Sequence, residues 1–210
     1  MNVALSGSTG LVGSHLLRLL CEEPPVAHLY AVGRREPEWA HAKVTFISSA
    51  QGTSANLPSI DAAFCCLGTT IKKAGSQAAF RAVDFDMVVH FAKSAKAAGA
   101  QSFGLVSALG ANAQSSVFYN RVKGETEEAL LAQGFQSLVI ARPSFLMGDR
   151  AESRPGERLG IAVSRMMSPL MIGPAKRLRP VAAEAVARTL VEATLHPQPG
   201  VRIIESEHLA

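Results

Sequence analysis

Tyr119 and Lys123 stand four residues apart in VFYNRVKGETEE, a spacing that puts two side chains on one face of a helix. A nearby ammonium favours the charged form of a phenol and so brings the usual tyrosine value of about 10 towards neutrality. A tyrosine tuned in this way can protonate a carbonyl oxygen as hydride reaches the carbon, or run the reverse. Ser107, twelve residues before Tyr119, could hydrogen-bond the same oxygen. Ser115 and Ser116 offer the same group, but they precede the helix and could instead cap it. Alone, Tyr-x-x-x-Lys also describes many helices in which an aromatic packs beside a surface lysine. The reading depends on what surrounds it.

A second constellation lies at the N-terminus. NVALS (2–6) is followed by GSTGLVG, with Gly7, Gly10 and Gly13 spaced three apart, and then by a helical pattern. In a strand–turn–helix unit the first glycine allows a tight turn and the second lets backbone approach a pyrophosphate. The third lets helix and strand pack closely, and the helix N-terminus offers N–H donors to the phosphate. Gly7, Ser8, Thr9, Gly10, Leu11, Val12 and Gly13 are therefore expected to cradle a dinucleotide. About 20 residues further on, NAD-binding chains usually place an acidic residue on the ribose. Here the second strand ends in Gly33-Arg34-Arg35, with no carboxylate before Glu36. Guanidinium groups pair with a 2′-phosphate that an acid would repel, which favours NADPH/NADP+ over NAD.

Apolar runs separated by helical patterns supply the frame. HLYAVG (28–33), KVTFIS (43–48), IDAAFCCL (60–67), SFGLVSAL (102–109), SLVIARP (137–143) and VRIIES (201–206) read as strands after the first. LVGSHLLRLLCEE (11–23), a long stretch over 77–99 ending at Gly99, residues 117–134 and about 180–195 read as helices. Apolar strands alternating with helices imply a parallel sheet covered on both faces, a doubly wound α/β fold. Ser107 then falls at a strand's C-terminal end, where ligands of such sheets bind. At 210 residues the chain suits a single domain (1–210), with 144–180 as a substrate-side segment.

These motifs together resemble the short-chain dehydrogenase/reductase superfamily, in its atypical group. FCCLGTT…KAG, YNRVKGE, ARP and DRAESRPGE narrow the resemblance to the Tat-interactive-protein-like branch. The resemblance spans nearly the whole chain. It implies a Rossmann fold, NADPH at the Gly7–Gly13 turn and at Arg34 and Arg35, and a catalytic Ser107, Tyr119 and Lys123. It also implies that Leu67, Gly68, Thr69 and Thr70 run beside the cofactor. Pro143, Ser144, Phe145 and Leu146 would border the nicotinamide. One departure stands out: many superfamily members carry an asparagine in the helix after the fourth strand, supporting a proton relay. Here AVDFDMVVHFA has aspartates at 84 and 86 instead.

The expected activity is therefore NADPH-dependent reduction of a small carbonyl compound. The alternative is an NADPH-binding sensor or scaffold acting through a protein partner. A formal charge of +4 without long basic runs speaks against nucleic acid, and no apolar run reaches the roughly 18 residues of a membrane span. Three cysteines make a poor disulfide framework, the adjacent Cys65 and Cys66 lack metal-ligand spacing, and no signal segment is expected. No metal is expected, and the cytoplasm is the expected compartment. Cys65 and Cys66 should face opposite sides of the sheet as buried apolar groups. Lys72 and Lys73 could add rim potential or be merely solvated. Trp39 could cover the adenine or pack on a helix. Arg150, Arg154 and Arg158 could hold an acidic group or be solvated, and Met166–Met171 could line a pocket, pack in the core or form a subunit contact.

Overall fold

The computed structural model describes residues 1–49, 56–148 and 173–209. Its main sheet is formed by β1 (Asn2–Ser6), β2 (His28–Gly33), β3 (Val44–Ser48), β4 (Ala62–Cys65), β5 (Ser102–Val106), β6 (Ser137–Arg142) and β9 (Gly200–Glu205). The order is β3-β2-β1-β4-β5-β6-β9, and every neighbouring pair is parallel. Parallel neighbours need crossover connections. The connections after β1, β4, β5 and β6 run through helices α1 (Leu11–Glu22), α4 (Val88–Ala97), α5 (Phe118–Leu131) and α6 (Ala183–Leu195), whereas residues 34–43 join β2 to β3 without a helix. The order reverses between β1 and β4, so the sheet is doubly wound and its C-terminal edge opens there.

Strand alternation divides the core into two layers. Val3, Leu5 and Phe64 point to the side covered by Leu16, Leu17 and Leu20 of α1 and by Val186 and Leu190 of α6. Ala4, Ala63 and Cys65 point to the other side, against Val88, Phe91 and Ala95 of α4 and Leu130 of α5. Cys65 lies in this second layer and Cys66 packs against the first, because successive strand residues face opposite ways.

The stretch expected to be helical over 77–99 is helical without a break over 77–97, but a separate short helix precedes it and its middle is a π turn. Thr70 caps a short α2 (Ile71–Ala74) by accepting from Lys73 N–H at 3.1 Å, and Gly75 ends it at φ +86°. Ser76 caps α3 (Gln77–Arg81), accepting from Ala79 N–H at 3.0 Å. The helix then widens into a π turn over Ala82–Met87 before α4, and Gly99 at φ +100° follows its end. No Gly or Pro marks the π turn; what it positions is a buried aspartate, described below. Two further strands of two residues, β7 (Leu146–Met147) and β8 (Val181–Ala182), pair in parallel and tie the segment after β6 to the start of α6. Among the described residues no helix is long and apolar enough to cross a membrane.

Candidate active site

The glycine turn follows β1. Gly7 adopts φ +87°, and a Cβ there would lie 2.7 Å from the carbonyl carbon and oxygen of Cys66, at the end of β4. Gly10 N–H donates to Gly7 O at 2.9 Å, closing the turn. At Gly13 a Cβ would lie 2.0 Å from Gly7 O, so α1 can pack this close to the turn only without a side chain. No side chain caps α1 and its first turn holds no acid. Its leading N–H groups and the positive end of its dipole are left for an anion, as a dinucleotide pyrophosphate requires. Ser8 is buried, while Thr9 is exposed. Arg34 and Arg35 are exposed just beyond β2, on the same edge of the sheet. The local structure suits a dinucleotide.

Ser107 follows β5 and Pro143 follows β6, so both lie at the C-terminal edge, as the sequence indicates. Tyr119 and Lys123 lie on α5. The helix is seated against the preceding loop, for a Cβ at Gly124 would lie 2.1 Å from Ala113 N. Tyr119 is half-buried, its ring 5.4 Å from that of Phe80. Lys123 is 6% exposed and its Nζ lies 2.8 Å from Oδ1 of the fully buried Asp84. Burial alone would push the lysine's pKa down; the charge of Asp84, helped by Tyr119, outweighs it and holds the value above the ordinary one.

Asp84 is the residue at the departure noted in the sequence. Its Oδ2 accepts from Thr69 N–H at 2.9 Å, and its backbone carbonyl lies 2.8 Å from the Thr126 hydroxyl. Thr69 N–H is thus engaged by Asp84, and the Thr70 hydroxyl oxygen accepts from Lys73 N–H while keeping its own proton to donate. Asp86, by contrast, is exposed.

Ser107 is also engaged. Its hydroxyl donates to Oε1 of Glu127, one helical turn beyond Lys123. Glu127 is buried and bound by Arg142, whose Nη2 lies 2.6 Å from Oε2 and whose Nε lies 3.1 Å from Oε1. The third guanidinium nitrogen reaches Glu205 at 2.9 Å. Hydrogen bonds to Glu127 prevail over burial and raise the pKa of Arg142. A carboxylate only accepts, so the single Ser107 proton is directed at Glu127 and its lone pairs face elsewhere.

On the substrate side, Ser144 N–H donates to Ser206 Oγ at 3.1 Å and its hydroxyl donates to Arg179 O. Pro143 is buried, Leu146 half-buried and Phe145 74% exposed. Arg150, Arg154, Arg158 and Met166–Met171 lie outside the described residues. Trp39 stacks on His41 at 5.3 Å and packs against the core, with the Arg18 guanidinium of α1 5.9 Å from its ring. Ser115 accepts from Val117 N–H at 3.1 Å at the start of α5. Lys72 and Lys73 are exposed. The described residues include no cluster of three potential metal ligands.

The glycine turn, the uncapped helix and the reversal of strand order define a nucleotide-cofactor-binding Rossmann-type protein with an oxidoreductase-like fold. Residues 2–112 match the family described as semialdehyde dehydrogenase, NAD binding domain. The chain is 40% identical over 166 residues, 74% of its length and 71% of the relative's, to "Protein fmp52, mitochondrial" of Emericella nidulans. It is 34% identical over 161 residues to the protein of that name in Candida albicans, covering 73% of this chain and 70% of the relative. The chain belongs to this Fmp52 family, and its residues 2–112 belong to the semialdehyde dehydrogenase NAD-binding domain family. Among solved structures it resembles MoeE5 in complex with UDP-glucose and NAD, with a TM-score of 0.73 at 15% identity over 100% of this chain and 79% of the other. It also resembles human epimerase family protein SDR39U1 with NADPH, with a TM-score of 0.66 at 18% identity over 99% and 77%. At such identities the likeness is one of fold.

The relatives' names overturn the cytoplasmic expectation, for they are mitochondrial proteins. Cysteine usage reports a reducing environment and not which membrane encloses it.

Proposed function

We propose that this chain is an NADPH-dependent oxidoreductase that reduces a small carbonyl compound, with Tyr119 donating the proton. The observation that carries the reading is the placement of Tyr119 and Lys123 on one face of α5, alongside the C-terminal edge where the Gly7–Gly13 turn lies. On this reading the pyrophosphate lies on the N-terminus of α1. Arg34 and Arg35 take the 2′-phosphate, and Leu67–Thr70 and Pro143–Leu146 flank the rest of the cofactor. Bound NADPH supplies the two-electron reducing equivalent. Tyr119 gives its proton to the substrate oxygen as the carbon is reduced, so that carbonyl, NADPH and a proton become alcohol and NADP+. Lys123 has three ammonium donors; one meets Asp84 and the others are available to the nicotinamide ribose. With its proton directed at Glu127, Ser107 works as an acceptor, steadying the hydroxyl of Tyr119 or of the alcohol product. The finer kinship we favour is the atypical, Tat-interactive-protein-like branch, as one domain with 144–180 on the substrate side.

The test is a panel of aldehydes, ketones and quinones, scored by loss of reduced-nicotinamide absorbance. Turnover of at least one class supports a reductase. Tight NADPH binding with no turnover across the panel retires it and leaves a sensor that acts through a protein partner.

A further inference from the structure

A buried carboxylate is costly unless its charge and lone pairs are met. Asp84 is fully buried, and partners from two other elements meet it: Lys123 of α5 at 2.8 Å and the N–H of Thr69, just past β4, at 2.9 Å. The π turn over Ala82–Met87 widens the helix locally, the kind of irregularity that re-aims a side chain at functional sites. Thr126 holds the Asp84 carbonyl at 2.8 Å, bonding the turn to α5 through the backbone as well. Gly68 completes the arrangement, since a Cβ there would stand 3.4 Å from Asp84 Oδ1 and 3.7 Å from Lys123 Nζ. One carboxylate therefore joins the loop after β4 to the lysine. Asparagine could still accept from Thr69, but it has no charge to offer Lys123.

We infer that Asp84 is a positioning residue that locks Lys123 and the Gly68–Thr69 turn into one unit of the cofactor site. The inference rests on the proposal that both elements face NADPH. Several groups act on Lys123. Tyr119 lies on its own helix; Cys65, at the end of β4, has its thiol pushed up to about 12 by burial, and Cys66 is raised as well. Both thiols therefore stay neutral around neutral pH. Glu127, one turn along α5, is bound by Arg142. Asp84 thus supplies the largest influence that offsets the burial of Lys123, ahead of Tyr119 and Cys65, and without it burial weighs more and the lysine loses its proton at lower pH.

Two measurements test this. NADPH affinity is titrated for the wild type, Asp84→Asn, Asp84→Glu and Lys123→Met from about pH 7 to about pH 10, a window just below the ordinary lysine value. The wild type should hold its affinity, and Asp84→Asn should weaken on the order of tenfold towards the alkaline end, as expected for one lost charge-assisted contact. Asp84→Glu should recover part of the loss, and Lys123→Met should be weak and flat. An Asp84→Asn profile parallel to the wild type's overturns the inference. The double variant Asp84→Asn/Lys123→Gln leaves no lone buried charge and keeps the test alive if the single variant does not fold. Wild-type affinity in it also overturns the inference. Independently of any cofactor, acylation of Lys123 by acetic anhydride, followed by peptide mass mapping, should run several-fold faster in Asp84→Asn than in the wild type. Equal rates contradict the inference, whereas protection in a protein that binds no NADPH retires the proposed function and leaves the pair standing.

Discussion

Replacing Arg142 with methionine removes the partner of a buried carboxylate while keeping an unbranched apolar side chain. Arg142 makes two bonds to Glu127, at 2.6 and 3.1 Å, and one to Glu205 at 2.9 Å. The two ends differ in exposure. The Glu205 side chain is 38% exposed, so water can replace its lost contact and little stability goes with it. The Glu127 side chain is 5% exposed and would keep only the Ser107 hydroxyl as a donor. Stranding such a charge costs about 3–5 kcal/mol, against a total stability of about 5–15 kcal/mol for a folded domain. For a chain of this size that corresponds to a fall in Tm on the order of 6–20 °C. Thermal and urea unfolding measure it directly. The decisive comparison is Arg142→Met/Glu127→Leu, which strands no charge and should recover most of the loss. A single variant within about 1 kcal/mol of the wild type, or a double variant no better than the single, would refute the view that Glu127 is a buried charge held by Arg142.

Other predictions follow from the same geometry. Gly13→Ala sets a methyl against Gly7 O and must lift α1 off the turn; it should cost about 1–3 kcal/mol in urea unfolding and sharply weaken cofactor binding, and normal binding would contradict the cradle. Arg34→Ala/Arg35→Ala should lower NADPH affinity on the order of tenfold or more while leaving NADH affinity nearly unchanged, since only NADPH carries the 2′-phosphate; equal losses for the two cofactors would remove the assignment. Cys65 and Cys66 should resist maleimide at neutral pH in the folded protein, because burial pushes both thiols up, Cys65 to about 12; rapid labelling of both under native conditions would contradict their placement.

Much of the frame was legible because its signals are local. The turn at Gly7–Gly13 joins a strand and a helix whose apolar periods can be read within a few residues, and the structure sets both where expected. Tyr119 and Lys123 follow from a single helical spacing. The opposite faces of Cys65 and Cys66 follow from strand alternation alone. What was hidden depends on contacts between distant segments. The π turn has no punctuating Gly or Pro; it accompanies the pairing of Asp84 with Lys123, which the local sequence does not announce. Asp84 was visible only as a departure from an expected asparagine, not as the lysine's partner. Glu127 sits in GETEE, where three glutamates read as a solvated helix face. Its position four residues after Lys123 was the available signal, and the arginine of ARP its unrecognised counterpart. The two-residue strands β7 and β8 are too short for any periodicity to show. The compartment failed for a different reason, since composition reports redox conditions and not address.

The central claim is that Tyr119 delivers a proton in an NADPH-dependent reduction, and Tyr119→Phe tests it most directly. The ring and its contact with Phe80 are retained and only the hydroxyl is lost. NADPH titration and single-turnover kinetics on the same preparation, with a carbonyl substrate drawn from the panel, separate binding from chemistry. The account predicts near-normal NADPH affinity with turnover reduced on the order of a hundredfold or more, the usual share of a positioned general acid. Turnover at the wild-type rate would contradict it.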